Sequence, residues 1–147
     1  MNLLKRVKET DISLTAFFEF KDKCEKAIKE GSIDYHTAMA YGLEACAMMS
    51  NLVQPKAWLT YTVSEVEREA KHEFAKLLST VSASSQDKRE ALVKINPTYQ
   101  TKLTELSEVT ALLQLVNDAY STADKYHYFF RTIYTVENKI PNPNGTE

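Results

Sequence analysis

Glycine and proline are scarce: three and four among 147 residues, with Pro141 and Pro143 both inside the last seven positions. A multi-stranded sheet needs a turn every few residues, and turns draw on these two residue types, so their scarcity argues against one. Cysteine is nearly absent too. Cys24 and Cys46 are the only two, and they form no C-x-x-C pair. That leaves no cysteine zinc motif and no disulfide framework; two isolated thiols in apolar helical surroundings are expected buried and reduced. Neither charge dominates, since 18 Lys and Arg stand against 20 Asp and Glu for a net charge of −2. A dedicated nucleic-acid binder is usually more basic, although a local basic patch counts for more than the sum. Nowhere does an apolar run approach the roughly 20 residues of a membrane helix, and the residues after Met1 do not read as a signal peptide. No membrane partner is expected, and the expected compartment is the cytoplasm. Asn144, Gly145 and Thr146 spell a glycosylation acceptor that such a compartment would leave unused.

What the chain does contain is helix-forming material, and its apolar residues recur at helical spacing. Thr10 and Asp11 read as caps of a first helix over 11–30, striped by Phe17, Phe18, Phe20, Cys24, Ala27 and Ile28 and stopped by Gly31. Ser32 or Asp34 starts a second, 34–53, carrying Tyr35, Ala38, Tyr41, Ala45, Met48 and Met49. Small residues over 38–47, Gly42 among them, permit close packing. The residue before a proline avoids helical dihedrals, so this helix is expected to end ahead of Pro55. A third helix over 56–81 presents Leu59, Val63, Val66, Ala70, Phe74, Leu77 and Val81 at spacings of three and four. A polar break from Ser82 to Asp87 follows, and then a short segment, 88–95, that reads as a helical turn or as loop.

The fourth helix, 98–138, is the longest. Leu106, Val109, Leu113, Val116, Tyr120, Ala123, His127, Phe130 and Tyr134 alternate three and four apart, the 3.5-residue period of a helix that wraps against others. A second row, Leu112, Leu115, Ala119, Tyr126, Phe129 and Ile133, widens its apolar face. The expected fold is all-α: a long antiparallel helical hairpin of 56–81 and 98–138 with two shorter N-terminal helices. It forms one domain over 1–139, with 140–147 as a disordered tail. Because 56–81 is shorter than 98–138, the aromatic end of the latter lacks a hairpin partner. The first two helices and other subunits are both expected to contribute to covering it, so Tyr126, Phe129, Phe130, Ile133 and Tyr134 are expected at the interface of a homo-oligomer.

Catalytic chemistry finds little support. Glu69 with His72 and Asp124 with His127 copy the carboxylate-x-x-His unit of di-metal helical bundles, for which Glu44 and Glu19 or Glu25 would complete the set. In an antiparallel hairpin the two units fall about 20 Å apart along the axis, so no metal is expected. His127 lies on an apolar seam and reads as a structural histidine. No Gly-rich phosphate loop occurs. Neither enzyme activity nor a cofactor is expected. Binding remains. Arg68, Lys71 and Lys76 line the outer side of 56–81, with His72 among them, and Lys88, Arg89 and Lys94 gather just beyond. Trp58 and Tyr61 could stack bases, and Lys5, Arg6 and Lys8 form a further basic cluster. Glu67, Glu69, Glu73, Asp87 and Glu90 dilute this positive charge. A helical protein-interaction module, an inhibitor or adaptor, is the alternative that fits the acidic balance.

The order of features over residues 45–139 resembles the bacteriophage UvsY-type recombination mediators. The likeness runs from the alanine-containing helix to Ala57, Trp58 and Leu59, and then to a charged stretch at Val66, Glu67, Arg68, Glu69, Ala70 and Lys71. After a polar linker come Leu103, Leu106, Leu112, Leu113 and Leu115, and last an aromatic-basic stretch from Tyr126 to Arg131. The resemblance implies a ring-forming, non-enzymatic protein of the host-cell cytoplasm that binds single-stranded DNA. Such a protein helps load a recombinase onto strands held by single-strand-binding protein. Carried over, its DNA contacts fall on Arg68, Lys71 and Lys76, and its oligomerisation on the C-terminal helical region.

Overall fold

A computed structural model of the chain describes residues 3–31 and 33–137, and among side chains those at 14–31 and 33–136. The tail 140–147, Ser32, Asn138 and the glycosylation triplet lie outside the described residues. All secondary structure among the described residues is helical: α1 Leu3–Glu30, α2 Tyr35–Thr80, α3 Gln86–Lys94 and α4 Pro97–Glu137.

The helix ends follow local chemistry. Helix α1 begins at Leu3, so Thr10 and Asp11 lie inside it; the intervening Leu, Lys and Arg are good helix formers and no breaker interrupts them. Gly31, at φ +74°, takes the left-handed conformation that ends α1. Asp34 caps α2 by accepting the Thr37 backbone N–H at 2.7 Å, and that bond holds its carboxyl below the usual carboxylate range. Ser85 caps α3, so the segment after the polar break is a true helix, anchored by the fully buried Val93. Asn96 accepts the Thr98 N–H at 2.9 Å, and Pro97 takes the first-turn position of α4, where a missing N–H costs nothing.

The largest departure from expectation is at Pro55, where α2 continues as one helix of 46 residues. An internal proline costs a helix about 3 kcal/mol. Leu52 and Leu59 stand one turn to either side of it, 1% and 0% exposed. Each buried leucine contributes roughly 1.5–3 kcal/mol, so packing on both flanks outweighs the lost hydrogen bond. The two separate helices expected at 34–53 and 56–81 are therefore one, and the N-terminal helices are not both short.

The chain divides into two compact units that share α2 and α4. The first comprises residues up to Pro55 and from Val116 onward, the second Lys56 to Leu115. In the first unit Phe20 and Cys24 of α1, Ala38 and Ala45 of α2 and Phe130 of α4 form a buried core. Tyr41, Met48, Tyr126, Ile133 and Tyr134 pack around it. The small residues let helices approach closely: a Cβ on Gly42 would lie 3.2 Å from Cε1 of Tyr134 and 3.8 Å from Cβ of Phe130. In the second unit Leu59, Val66, Ala70, Val93 and Val109 are buried. Phe74 of α2 meets Tyr99 of α4 with ring centroids 5.3 Å apart, and Lys102 of α4 reaches Glu69 of α2 at 2.8 Å.

Candidate functional site

Three cations expected to touch phosphate, Arg68, Lys71 and Lys76, all project into solvent from the second-unit part of α2. Each has a carboxylate beside it. Arg68 donates to Glu65 at 2.7 Å, Lys71 pairs with Glu67 at 2.7 Å, and Lys76 pairs with Glu73 at 3.7 Å. These are neighbours three or four residues apart on one helix, and such exposed pairs contribute about 0.3–0.5 kcal/mol each. Glu65 raises the Arg68 guanidinium above its ordinary value. The same part of α2 presents Tyr61, a residue 60% exposed. At 100° per residue, Tyr61, Arg68, His72 and Lys76 fall within about 80° of one another, on a stretch about 22 Å long.

Arg68, Glu69, His72, Glu73 and Lys102 line an open groove of about 340 Å³. Lys102 lies between Glu69 and Glu105, at 2.8 and 3.1 Å. Glu69 is thereby held below the ordinary carboxylate range, and Lys102 above the ordinary amine range. The groove thus balances two cations and a histidine against two carboxylates. A 33-residue separation hides the Glu69–Lys102 pair from sequence patterns; only the register of α4 against α2 reveals it.

The second basic cluster is less coherent. Lys88 is exposed, its ammonium donating to Ser84 at 3.2 Å. Lys94 is exposed as well, and its backbone carbonyl accepts from the Gln100 side chain. Arg89 is half-buried, and its Nε is buried without a hydrogen-bond partner among the described residues. Leu92 and Ile95 are exposed beside these residues, giving α3 a mixed apolar and basic surface.

The aromatic end of α4 is mostly covered by its own chain. Phe130 is 0% exposed, sits at the centre of the first unit's core and meets Tyr41 edge to face at 5.3 Å. It has no surface left to give to another copy, which corrects its assignment to an interface. Tyr126, Ile133 and Tyr134 are half-buried against the same core, and the Tyr126 hydroxyl donates to Glu25 at 3.4 Å. Burial, with Glu25 beside it, pushes that phenol up to about 12. Of the five residues expected at the interface, Phe129 alone is exposed; Tyr128, at 73%, and Val136 face outward beside it. Helix α1 and the start of α2 supply the cover, the option left open by the unequal lengths of the two hairpin segments.

His127 has a partner that its place on an apolar seam did not disclose. Its Nδ1 lies 3.1 Å from Sγ of Cys46 and 3.2 Å from the Gly42 carbonyl. Cys24, by contrast, is fully buried; burial first, and then the Glu44 carboxylate, pushes its thiol up to about 12. Among the described residues no group of three or more His, Cys, Asp and Glu could hold a metal ion, and no helix is long and apolar enough to cross a membrane. No protein-family model, curated protein or solved structure matches this chain.

Proposed function

We propose that this chain is a non-enzymatic recombination mediator of the cytoplasm, which binds single-stranded DNA and helps load a recombinase where single-strand-binding protein is present. The observation that carries the reading is the alignment of an exposed aromatic residue with basic side chains along one face of α2: Tyr61, then Arg68 and Lys76 with His72 between them, and Lys71 alongside. Non-specific single-strand binders combine these two elements, a ring for bases to stack on and a basic track for the backbone. The carboxylates on the same face do not lock the cations, because a phosphate that draws a guanidinium or ammonium away from an exposed Glu gives up less than about 1 kcal/mol. Assembly through the outward side chains of Tyr128, Phe129 and Val136 on α4 belongs to the same reading. So does an additional basic contact from Lys88, Arg89 and Lys94.

Titration of a labelled oligothymidylate tests it. Three phosphate contacts give a salt slope of about −2, so affinity falls roughly twentyfold between 50 and 200 mM salt. Loss of stacking in Tyr61→Ala weakens binding about tenfold, and replacing Arg68, Lys71 and Lys76 together by alanine flattens the salt dependence to what Lys88, Arg89 and Lys94 supply. Absence of binding at micromolar protein in 50 mM salt ends this reading. A second reading, a helical adaptor that docks on another protein, draws on the pairing of all three α2 cations with their own helix's carboxylates. Under it the chain binds no DNA and runs as a monomer in size exclusion with light scattering.

A further inference from the structure

The first unit holds a thiol and an imidazole brought together by backbone design. Gly42 lets α4 come close to α2, its missing side chain leaving room for the ring of Tyr134. Cys46 stands one turn further along α2 and His127 one turn back from Phe130 on α4, so the same close approach brings Sγ and Nδ1 to 3.1 Å. The Gly42 carbonyl, 3.2 Å from the same nitrogen, fixes the proton. A carbonyl oxygen can only accept, so Nδ1 carries the hydrogen, and its single N–H is shared between that oxygen and the sulfur. The imidazole lone pair is then on Nε2, away from Cys46. A metal ion held jointly by this sulfur and Nδ1 would first have to displace that proton, which speaks against chelation and for a donor aimed at sulfur. Cys46 itself is half-buried, with the exposed Leu43 and Ala47 on the solvent side of the same turns.

We propose that Cys46 is a reversible modification site that takes low-molecular-weight disulfides, with His127 as the positioning residue that donates to its sulfur. In the exchange Cys46 loses its thiol proton to water and its sulfur attacks one sulfur of the disulfide. A new S–S bond forms to Cys46 as the old one breaks, and the other half leaves as a thiolate; the disulfide is reduced and the protein thiol oxidised. An N–H donated to the sulfur stabilises the negative charge spread over the three sulfurs while the exchange is under way. Cys24 is the internal control. It is fully exposed only on unfolding, and burial disfavours its anion.

The experiment uses the full reduced chain with an aryl disulfide that releases a coloured thiolate, followed by peptide mapping of the modified residue. One equivalent reacts per native chain, at Cys46, and the second equivalent appears only in denaturant. His127→Phe fills the space without the donor and slows the reaction about tenfold, the worth of one charge-assisted hydrogen bond. His127→Asn, whose amide nitrogen stands close to the place of Nδ1, restores part of the rate. Equal reaction at both cysteines of the native wild type overturns the assignment of the site, whatever the variants do. Reaction of His127→Phe at the wild-type rate, with Cys24 still protected as proof of folding, overturns the role of His127. If Cys24 becomes reactive in that variant, the Asn substitution decides: a rate no faster than that of a Cys46 freed in denaturant also overturns it.

Discussion

Truncating two adjacent aromatic rings of α4 should have unequal effects, because one faces the core and the other the solvent. Phe130 is completely buried and shares the first unit's core with Phe20, Cys24, Ala38 and Ala45, with the Tyr41 ring edge-on at 5.3 Å and that of Phe129 at 5.2 Å. Phe130→Ala removes six ring carbons' worth of contact and leaves a cavity between three helices, which Met48 beside the core fills at most in part. The expected loss is about 3–5 kcal/mol, a large part of the 5–15 kcal/mol typical of a folded domain. Phe129, 40% exposed, gives up only part of its apolar area, and Phe129→Ala should cost about 1 kcal/mol. Urea unfolding followed by far-ultraviolet circular dichroism separates the two, read as the shift in midpoint at constant slope. Each variant is measured at two protein concentrations tenfold apart. The Phe130→Ala midpoint should drop by the same amount at both, since the lost contacts lie within one chain. Equal costs for the two variants would refute the burial argument. So would a Phe130→Ala loss that appears only at the lower concentration, because the ring would then be covered by another copy.

Two further perturbations test the same unit. Gly42→Leu drives a branched side chain into Cε1 of Tyr134, where even a Cβ would sit at 3.2 Å, and should cost at least about 1–3 kcal/mol. Gly42→Ala offsets a small displacement of that ring against roughly 1 kcal/mol of helix propensity and should stay near wild type; a leucine variant of wild-type melting temperature would disprove the close approach. Alkaline pH should also unfold the protein early. Cys24 rises from 9.0 to about 12 and Tyr126 from 10.0 to about 12 on folding. The folded chain therefore holds both protons more tightly than the unfolded one, and the resulting stability is complete below about pH 9 and drains away as pH climbs towards 12. Urea midpoints measured from pH 8 upward should fall across that window, and less steeply in Cys24→Ala; a flat profile in the wild type would contradict the burial of both groups.

Periodicity made the interior legible. Leu106, Val109, Leu113, Val116, Tyr120, Ala123, His127, Phe130 and Tyr134 are all buried or half-buried, as are the seven apolar positions from Leu59 to Val81. A repeat of three and four residues reports which side of a helix is apolar, and that side turns inward whatever its partner. What periodicity cannot report is the partner. The rule that a helix stops before proline is a statement about one residue, and at Pro55 it yielded to the burial of Leu52 and Leu59. The aromatic end of α4 could be covered by the first two helices or by another copy, and periodicity did not choose; α1 and the start of α2 contribute Phe20, Ala38, Tyr41 and Ala45 to cover it. Cys46 and His127, 81 positions apart, meet because Gly42 sets a helix spacing. The small-residue run over 38–47 announced close packing but not against what.

The charge pattern on α2 links the DNA reading to assembly. Three cations with a carboxylate three or four residues away can each meet a phosphate, but the displaced carboxylates stay within a Debye length of about 8–10 Å and oppose the same phosphates. Tyr61, which is exposed, would add one stacking contact per chain. Under the proposed reading, a single copy with these terms would bind single strands weakly at physiological salt. Several copies held side by side convert each later contact into an intramolecular one at millimolar effective concentration, which multiplies a weak affinity by 10² to 10⁴, as an order-of-magnitude range, without any new contact. The proposed mediator therefore requires that Tyr128, Phe129 and Val136, or another outward face, hold copies together. Under this electrostatic balance a strictly monomeric chain would have too little net attraction for the task, so DNA affinity and self-association should be lost together when the outward side chains of α4 are replaced by charged ones.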